Sequence, residues 1–321
     1  MHTLSIVVPV YNSAEILPQL AYRLDQVRMQ NDWQIELILV NDGSKDNSWG
    51  VICGLTEKYL WIRGINLMRN YGQHNALLCG IRSANFEIII TMDDDLQHPP
   101  EEIPKLLSEI EKGYDVVYGT PQREQHGLWR DIASQSTKLI LQSAMGADIA
   151  RNITSFRAFR SQLREAFANY SGSYVFLDAL LTWGTTSFSA LPVRHDPRVI
   201  GKSNYNLRKL IVHALNMTTG FSVLPLQISS LIGFAFTIIG FISLTYVGIR
   251  AFTQNSTLWG FYVLAALISI FAGAQLFALG IIGEYLARMH FRMMERPIYT
   301  IRQNVQSAEC KSTTIKRMVK Q

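Results

Sequence analysis

Two long stretches without a charged side chain constrain this chain more than any other feature. No Asp, Glu, Lys or Arg occurs from residue 215 to 249, and none occurs from 251 to 283. Each stretch exceeds the ~20 residues that a helix needs to cross a bilayer. Helices in a soluble core rarely run so far without a charge. The sequence therefore predicts two transmembrane helices, at about 227–249 and 259–282.

Basic residues flank this predicted hairpin, 227–283, unequally. The short connection near residue 250 carries one Arg, whereas segment 284–321 is rich in Arg and Lys. Basic segments favour the cytoplasmic side, so we predict that 284–321 is a cytoplasmic juxtamembrane tail. An even number of spans then places a domain formed by 1–205 in the cytoplasm too. Segment 206–226 has basic residues on one side of an apolar helical pattern, which predicts an amphipathic helix at the interface.

The overall charge and the cysteines exclude several classes of protein. The formal net charge is +5, but Lys and Arg do not cluster with stacking aromatics before the apolar stretches, so nucleic acid is disfavoured and a lipid bilayer is the expected partner. Cys53, Cys79 and Cys310 are widely scattered, which argues against a disulfide framework or a zinc site. Pro9 interrupts the first apolar run, so we expect a buried strand there and not a signal peptide.

From residue 4 to about 120, short β-branched runs alternate with helical patterns. This rhythm predicts an α/β domain with a mostly parallel sheet. Ligands of such sheets bind outside the carboxyl ends of the strands. Those ends carry the polar segments 9–12, 41–44 and 93–97, so we expect one crevice that contains all three.

Three consecutive aspartates, Asp93, Asp94 and Asp95, follow an apolar strand. Adjacent carboxylates repel each other unless a cation neutralises them. Oxygen ligands from Asp93, Asp95 and the Gln97 carbonyl suit Mg²⁺ or Mn²⁺, which would also stabilise a departing diphosphate. An acidic turn that caps the helix expected at Glu101 is the alternative, and both roles are compatible. A calcium loop is disfavoured because its twelve-residue spacing is missing.

The segment around Asp42 is a second candidate. Asp42 follows an apolar strand and could accept hydrogen bonds from a base or a ribose, and Tyr11 beside Pro9 could line a base pocket. Each segment alone is a weak signal, since Asp-Gly-Ser is an ordinary turn sequence.

In order and spacing, these segments resemble glycosyltransferase family 2. Residues 9–12 are similar to its P-x-Y-N, 41–46 to D-D-G-S-x-D, 69–76 to R-N-x-G-x-x-x-A, and 93–101 to D-x-D-L-Q-x-P-P-E. The match is closest to the polyprenyl-phosphate branch, which includes dolichyl-phosphate mannose synthase and bactoprenol glucosyltransferases. The resemblance implies a glycosyltransferase-A type, Rossmann-like domain.

The resemblance also implies roles for individual residues. The nucleotide is expected near Pro9, Tyr11, Asn12, Asp42 and Asp94. The metal is expected on Asp93, Asp95 and Gln97, and the two aspartates are the catalytic candidates.

The acceptor implied by this branch is a lipid phosphate, which needs cations to approach an anionic diphosphate. The candidate acceptor-phosphate residues are Arg123, Arg130, Ser134, Ser155, Arg157, Arg198, Lys202 and Ser203. Asn204 stands where the branch has Lys, and Asn152 stands where many relatives have an acid. A phosphate is already an oxyanion near neutral pH, so no strong general base is required.

The sequence thus predicts a metal-dependent enzyme that moves one sugar from a nucleotide-sugar to a polyprenyl phosphate at the cytoplasmic face of the plasma membrane. The resemblance implies that the reaction inverts the anomeric centre, that the nucleotide is UDP and that the acceptor is undecaprenyl phosphate. A flippase and a glycan-modifying enzyme would act downstream for the cell envelope, and the resemblance implies association into a homo-oligomer. A processive polysaccharide synthase is disfavoured because Q-x-x-R-W is missing, and a non-catalytic partner of a flippase is disfavoured because all acidic segments are retained. A dehydrogenase would need G-x-G-x-x-G after the first strand.

Overall fold

The computed structural model describes residues 2–121, 153–172, 174–197, 224–253, 257–294 and 296–306. The chain forms two compact units. The first comprises Met1–Leu210 and Arg296–Gln321, and the second comprises Ile211–Glu295.

The first unit alternates strands and helices, as the sequence pattern predicted. Its strands are β1 Thr3–Val10, β2 Gln34–Asn41, β3 Ile62–Leu67, β4 Ile88–Thr91, β5 Val116–Pro121, β6 Arg157–Arg160, β7 Phe188–Val193 and β8 Ile301–Val305. Its helices are α1 Leu17–Asn31, α2 Ser48–Lys58, α3 Gln73–Arg82, α4 Ile103–Glu111 and α5 Leu177–Leu181, with 3-10 helices at Pro100–Glu102 and Ser161–Phe167.

The strands form one eight-stranded sheet in the order β7-β5-β6-β4-β1-β2-β3-β8. β1 lies at the centre and pairs in parallel with β2 and β4, and β2 pairs in parallel with β3. Two strands run against this direction, since β6 is antiparallel to β4 and β5, and β8 is antiparallel to β3. The prediction of a mostly parallel sheet is therefore confirmed.

The centre of the sheet is covered on both faces, which explains why β1 and β2 are almost continuously apolar. Every residue of β1 after Thr3 is buried. Helix α3 packs closely on this strand at Gly80, where a Cβ atom would lie 2.3 Å from Val7 Cγ1. A larger residue at position 80 would push α3 away from the sheet. This contact thus fixes the distance between α3 and the sheet, and the start of α3 reaches the crevice.

Strand β8 lies in the segment that the sequence suggested was a tail. It pairs with β3 from Gly64↔Val305 to Leu67↔Ile301, with an irregularity between Asn66 and Leu67. The strand is short and polar, and only Val305 is buried, so it lacked the alternating apolar pattern that marks a strand. The chain therefore returns to the sheet after the apolar stretches.

The second unit contains two long helices, α6 Leu224–Thr253 and α7 Thr257–Met293. Both are long and apolar enough to cross a membrane, with candidate spans at Pro225–Ser243 and Ile270–His290. Only 6% and 0% of these spans are buried, so they are not the core helices of a soluble protein. Most of the predicted interfacial helix at 206–226 lies outside the described residues.

Candidate active site

An open cavity of about 250 Å³ lies at the carboxyl ends of β1, β2 and β4. Its lining residues are Pro9, Val10, Tyr11, Asp42, Asn70, Gly72, Gln73, Asp93, Asp94 and Asp95. The structure thus brings together the polar segments that follow three neighbouring strands. We call this cavity the crevice.

The acidic loop of the crevice begins where β4 ends. Leu96 follows the three aspartates with a φ of 58°, a left-handed conformation that is uncommon for a residue with a branched side chain. Burial of Leu96 in the core, where it is 1% exposed, holds this conformation. The Gln97 N–H donates to Asp95 Oδ1 over 3.1 Å, which fixes the Asp95 carboxylate at the turn.

Both oxygens of Asp93 accept hydrogen bonds from side chains on other elements. Gln73 Nε2, at the start of α3, donates to Oδ1 over 2.7 Å, and Ser155 Oγ donates to Oδ2 over 2.6 Å. These bonds orient the carboxylate and stabilise its charged form. Ser155 was predicted as an acceptor-phosphate residue, and the structure places its hydroxyl on Asp93.

Asp94 lies between the two other carboxylates and is the most perturbed acid of the crevice. Burial raises its pKa to about 6, and the charges of Asp93 and Asp95 add to this rise. A hydrogen bond with Ser13 and one with the Tyr11 main chain lower the pKa in part. Three carboxylates in so small a space favour a bound cation.

The donor atoms of this loop fit a magnesium or manganese ion that shares its shell with a substrate. Within the described ranges, no three His, Cys, Asp or Glu side chains converge closely enough to hold a metal alone. Mg²⁺ typically uses one or two carboxylates and takes its other ligands from phosphates and water, so Asp93 and Asp95 suffice. The Gln97 carbonyl already accepts the Asp196 N–H over 2.8 Å, which leaves one lone pair for an ion.

Asp42 is buried at the floor of the crevice, with 3% of its surface exposed. Its oxygens accept the Tyr71 N–H over 2.7 Å and the Gly72 N–H over 2.8 Å. Burial raises the pKa of Asp42, and the two N–H donors offset part of that rise. The carboxylate therefore organises loop 68–73 while it also lines the cavity.

Asn12 joins the first two loops of the crevice, although it does not line the cavity. Its φ is 55°, its N–H donates to Ser44 Oγ over 3.0 Å, and its Oδ1 accepts the Lys45 N–H over 2.7 Å. Asn tolerates this left-handed conformation better than most residues. The predicted contact of Asn12 with a nucleotide stays a prediction.

Arg157 is not at the open face of the crevice. It is 2% exposed, its Nη1 forms an ion pair with Asp178, and its Nε donates to Thr91 Oγ1 over 3.0 Å. The Tyr118 hydroxyl donates to Asp178 over 2.9 Å. Because its guanidinium is engaged internally, the geometry does not support the predicted contact of Arg157 with an acceptor phosphate.

This buried pair reaches the acidic loop through Thr91. The Thr91 hydroxyl accepts from Arg157 and donates to the main-chain oxygen of Ser155 over 2.8 Å. Ser155 in turn donates to Asp93. This network therefore holds Ser155 in place, and Ser155 in turn orients the Asp93 carboxylate.

Six of the predicted acceptor residues lie outside the described residues and stay predictions. They are Arg123, Arg130, Ser134, Arg198, Lys202 and Ser203.

Gln73, Asn70 and Gly72 line the crevice but were not among the predicted site residues. The signal that could have found them was the segment 69–76, whose motif was recognised but left without a role. A contact between Gln73 and Asp93 needs the tertiary fold to be known, because the sequence does not show which strand end lies beside α3.

Comparison with known proteins agrees with this architecture. A family profile described as Glycosyl transferase family 2 matches residues 5–171. The undecaprenyl-phosphate 4-deoxy-4-formamido-L-arabinose transferase of Yersinia pestis (strain Pestoides F) is 35% identical over 308 residues, covering 95% of this chain and 94% of the relative. The transferase of the same name from Klebsiella pneumoniae is 33% identical over 311 residues, covering 96% and 95%.

Solved structures share the fold. Glucosyl-3-phosphoglycerate synthase from Mycobacterium tuberculosis, solved with Mn²⁺, UDP and glucosyl-3-phosphoglycerate, superposes with a TM-score of 0.52 at 14% identity. The match covers 68% of this chain and 78% of that one. So low an identity shows the fold alone, and it confirms the predicted glycosyltransferase-A type domain. A family profile over about half of the chain and relatives aligned along nearly its whole length show that this protein is a glycosyltransferase that belongs to glycosyl transferase family 2.

Proposed function

We propose that this glycosyltransferase moves one sugar from a nucleotide-sugar to undecaprenyl phosphate at the cytoplasmic face of the plasma membrane. The observation that carries the proposal is the crevice itself, where Asp93 and Asp95 lie beside Asp42 at the carboxyl ends of the strands. The acceptor is proposed from the names of the relatives, which are undecaprenyl-phosphate transferases over the same length.

The donor half of the reaction rests on the residues that line the crevice. Asp42, Pro9 and Tyr11 would hold the nucleoside, and Asp93 and Asp95 would hold Mg²⁺ or Mn²⁺. A bound divalent ion would supply charge stabilisation to the diphosphate as the bond to the anomeric carbon breaks. The described side chains would orient the donor, since Gln73 and Ser155 fix the Asp93 carboxylate before any ligand arrives.

The acceptor half needs alignment more than proton transfer. An oxygen of the lipid phosphate would form the new bond to the anomeric carbon, and it is largely ionised near neutral pH. We propose that this oxygen attacks in line with the departing diphosphate, which inverts the anomeric centre. The cations at Arg123, Arg130, Arg198 and Lys202 stay our candidates for holding the acceptor phosphate.

Chain connectivity supports the membrane arrangement that we propose. The chain leaves the sheet unit before α6 and returns to it after α7, where β8 pairs with β3. Both ends of the helical pair therefore connect to one folded unit, so a membrane-crossing pair must start and end on the same side. The basic residues after α7 favour the cytoplasm for that side.

The test of this function uses the full chain purified in detergent with undecaprenyl phosphate, MnCl₂ or MgCl₂, and a panel of donors. The panel contains UDP-4-deoxy-4-formamido-L-arabinose, whose sugar is the one in the names of the relatives, together with UDP-glucose, UDP-N-acetylglucosamine and GDP-mannose. We expect one donor to give a lipid-linked monosaccharide. Lack of a product with every donor and both metals would favour a non-catalytic role.

A formed product also defines what must follow. A sugar on a polyprenyl phosphate at the cytoplasmic face has to cross the bilayer before an envelope glycan can receive it. We propose that a flippase and a second transferase consume it.

A further inference from the structure

Loop 68–73, which donates hydrogen bonds to Asp42, contacts a segment of the chain that follows α7. Residues 300–302, which we call the strap, comprise Thr300 and the first two residues of β8, and they lie in the same compact unit as the crevice. Loop 68–73 lies between Asp42 and the strap. The strap therefore meets the crevice indirectly, through that loop.

Three contacts join the strap to this loop. The Met68 N–H donates to the Thr300 carbonyl over 2.9 Å, and Arg302 Nη2 donates to the Met68 carbonyl over 3.0 Å. Hydrogen bonding from the side chain and the main chain of Thr300 lowers the pKa of the Tyr71 hydroxyl. The Arg69 guanidinium lies over the Tyr71 ring at 4.7 Å from its centroid. The side chain of Tyr71 is thus held from outside the crevice.

The main chain of the same residue is used inside the crevice. The Tyr71 and Gly72 N–H groups both donate to Asp42, and the next residue, Gln73, donates to Asp93. A shift of Tyr71 would therefore disturb a proposed nucleoside contact and a proposed metal ligand together. Hydrogen bonds to buried charged groups depend strongly on such geometry.

The loop has little room to adjust by itself. Gly43 has a φ of 65°, and a Cβ atom there would lie 2.5 Å from the main-chain atoms of Arg69 and Asn70. The loop is therefore in close contact with the Gly43 turn on one side. The strap contacts it on the other side, which fixes the position of Tyr71 between them.

We propose that the strap is a positioning element of the donor site, with Thr300 as the positioning residue that holds Tyr71 and, through it, the N–H groups on Asp42. This inference rests on the proposed function, in which the crevice binds a nucleotide-sugar. It makes the segment that follows the membrane hairpin part of donor binding. The crevice then depends on residues from both ends of the chain.

The test compares Thr300→Val with Tyr299→Phe in the full chain. Thr300→Val keeps the side-chain shape and removes the hydroxyl that contacts Tyr71. Tyr299→Phe removes a hydroxyl from the adjacent residue, whose partners are Cys79 and Arg82 near the far end of α3. It is the matched control, because neither partner lines the crevice.

The two measurements are hydrogen exchange at the Tyr71 and Gly72 amides and the affinity for UDP in the presence of MnCl₂. We expect Thr300→Val to speed exchange at both amides and to weaken UDP binding by about 3- to 10-fold, the effect of losing roughly one hydrogen bond. Tyr299→Phe should leave both measurements unchanged, even where it lowers the melting temperature.

Unchanged amide exchange in Thr300→Val would overturn the proposal, and so would faster exchange with unchanged UDP affinity. Equal losses of UDP affinity in the two variants would also contradict it, since they would indicate a general loss of stability. Lack of UDP binding by the wild-type protein counts against the proposed uridine donor and is seen before any variant is compared. Amide exchange at Tyr71 and Gly72 then tests separately whether the strap positions loop 68–73, because this measurement needs no nucleotide.

Discussion

Asp93, Asp94 and Asp95 are adjacent in sequence but differ in their surroundings. Asp93 accepts from Gln73 and Ser155, and Asp95 accepts from the Gln97 main chain. Asp94 lies between them, and desolvation raises its pKa to about 6. The middle carboxylate therefore carries the largest cost of keeping three negative charges together without a cation.

This cost gives a prediction for stability. The pKa of Asp94 is about 6 in the folded protein and close to 3.8 when unfolded, so the folded state binds the proton more tightly. Without a divalent cation, this residue should therefore destabilise the fold as pH rises through that interval, and the penalty should be complete above it. We expect Asp94→Asn to melt at a higher temperature than wild type at pH 7.5 in EDTA.

The melting temperatures of the two proteins should converge as pH falls toward 4, where wild-type Asp94 is protonated. Added MnCl₂ at pH 7.5 should stabilise the wild type and narrow the difference. A pH-independent difference between the proteins would contradict the assignment of the raised pKa to Asp94.

Residue types in the acidic loop were predictable, because an unusual run of like charges has few explanations. The partners of those residues were not. Ser155 was assigned to the acceptor, yet its hydroxyl bonds Asp93, and Arg157 was assigned to the acceptor, yet it is buried against Asp178. The sequence of a short strand does not show which face an arginine such as Arg157 occupies. Its partner, Asp178, is distant in sequence, so the buried pair could not be predicted.

At the scale of elements, the buried pair joins β6 to α5. Arg157 and Asp178 are both nearly inaccessible, so removal of one charge leaves the other unpaired in a low-dielectric interior. We expect Asp178→Asn to lower the free energy of unfolding by about 3 kcal/mol. The melting temperature should then fall by roughly 6–12 °C.

A double variant separates lost pairing from lost packing. Arg157→Met combined with Asp178→Leu removes both charges and should recover most of the lost stability, since an apolar replacement of a buried pair is often neutral. Thermal unfolding of the three proteins in one detergent gives the comparison. A double variant less stable than Asp178→Asn would show that the pair itself stabilises the fold.

Elements with strong local patterns were predicted well. The alternation of strands and helices predicted from residue 4 to about 120 is confirmed by β1 to β5 and α1 to α4, which occupy this part of the chain. Strand β8 escaped notice because a five-residue edge strand with three polar residues carries almost no periodic signal. Pairing with β3 supplies the stabilisation that its sequence lacks.

At the scale of the whole molecule, β8 constrains the route of the chain. The segments before α6 and after α7 belong to one unit, so we propose that the N-terminus and the C-terminus share a side of the membrane. We expect a reporter that fluoresces only in the cytoplasm to be bright when fused to either terminus. The same reporter fused after residue 256, in the connection between the helices, should be dark.

A dark C-terminal fusion beside a bright N-terminal one would contradict this topology. So would a bright fusion after residue 256, because it would mean that α6 does not cross the membrane. The apolar helices were evident from the sequence, but a strand that returns the chain to the sheet adds a structural reason for an even number of crossings.

We propose that the acidic crevice transfers one sugar to a polyprenyl phosphate. The most direct test is the mass of the lipid product formed by the full chain from undecaprenyl phosphate, MnCl₂ and the donor that the panel identifies. Wild type and a control variant, Asp32→Asn, should give undecaprenyl phosphate carrying one sugar, with an equal amount of nucleoside diphosphate. Asp32 is a matched control because it lies at the end of α1, outside the crevice, in a left-handed conformation that Asn tolerates.

Asp95→Asn keeps the size of the side chain but removes a proposed metal ligand, so we expect its rate to fall by at least about 100-fold while it remains in the membrane. EDTA should abolish the wild-type reaction. Formation of the same product by Asp95→Asn at near wild-type rate, or by wild type in EDTA, would contradict a role of Asp95 and a divalent ion in the transfer.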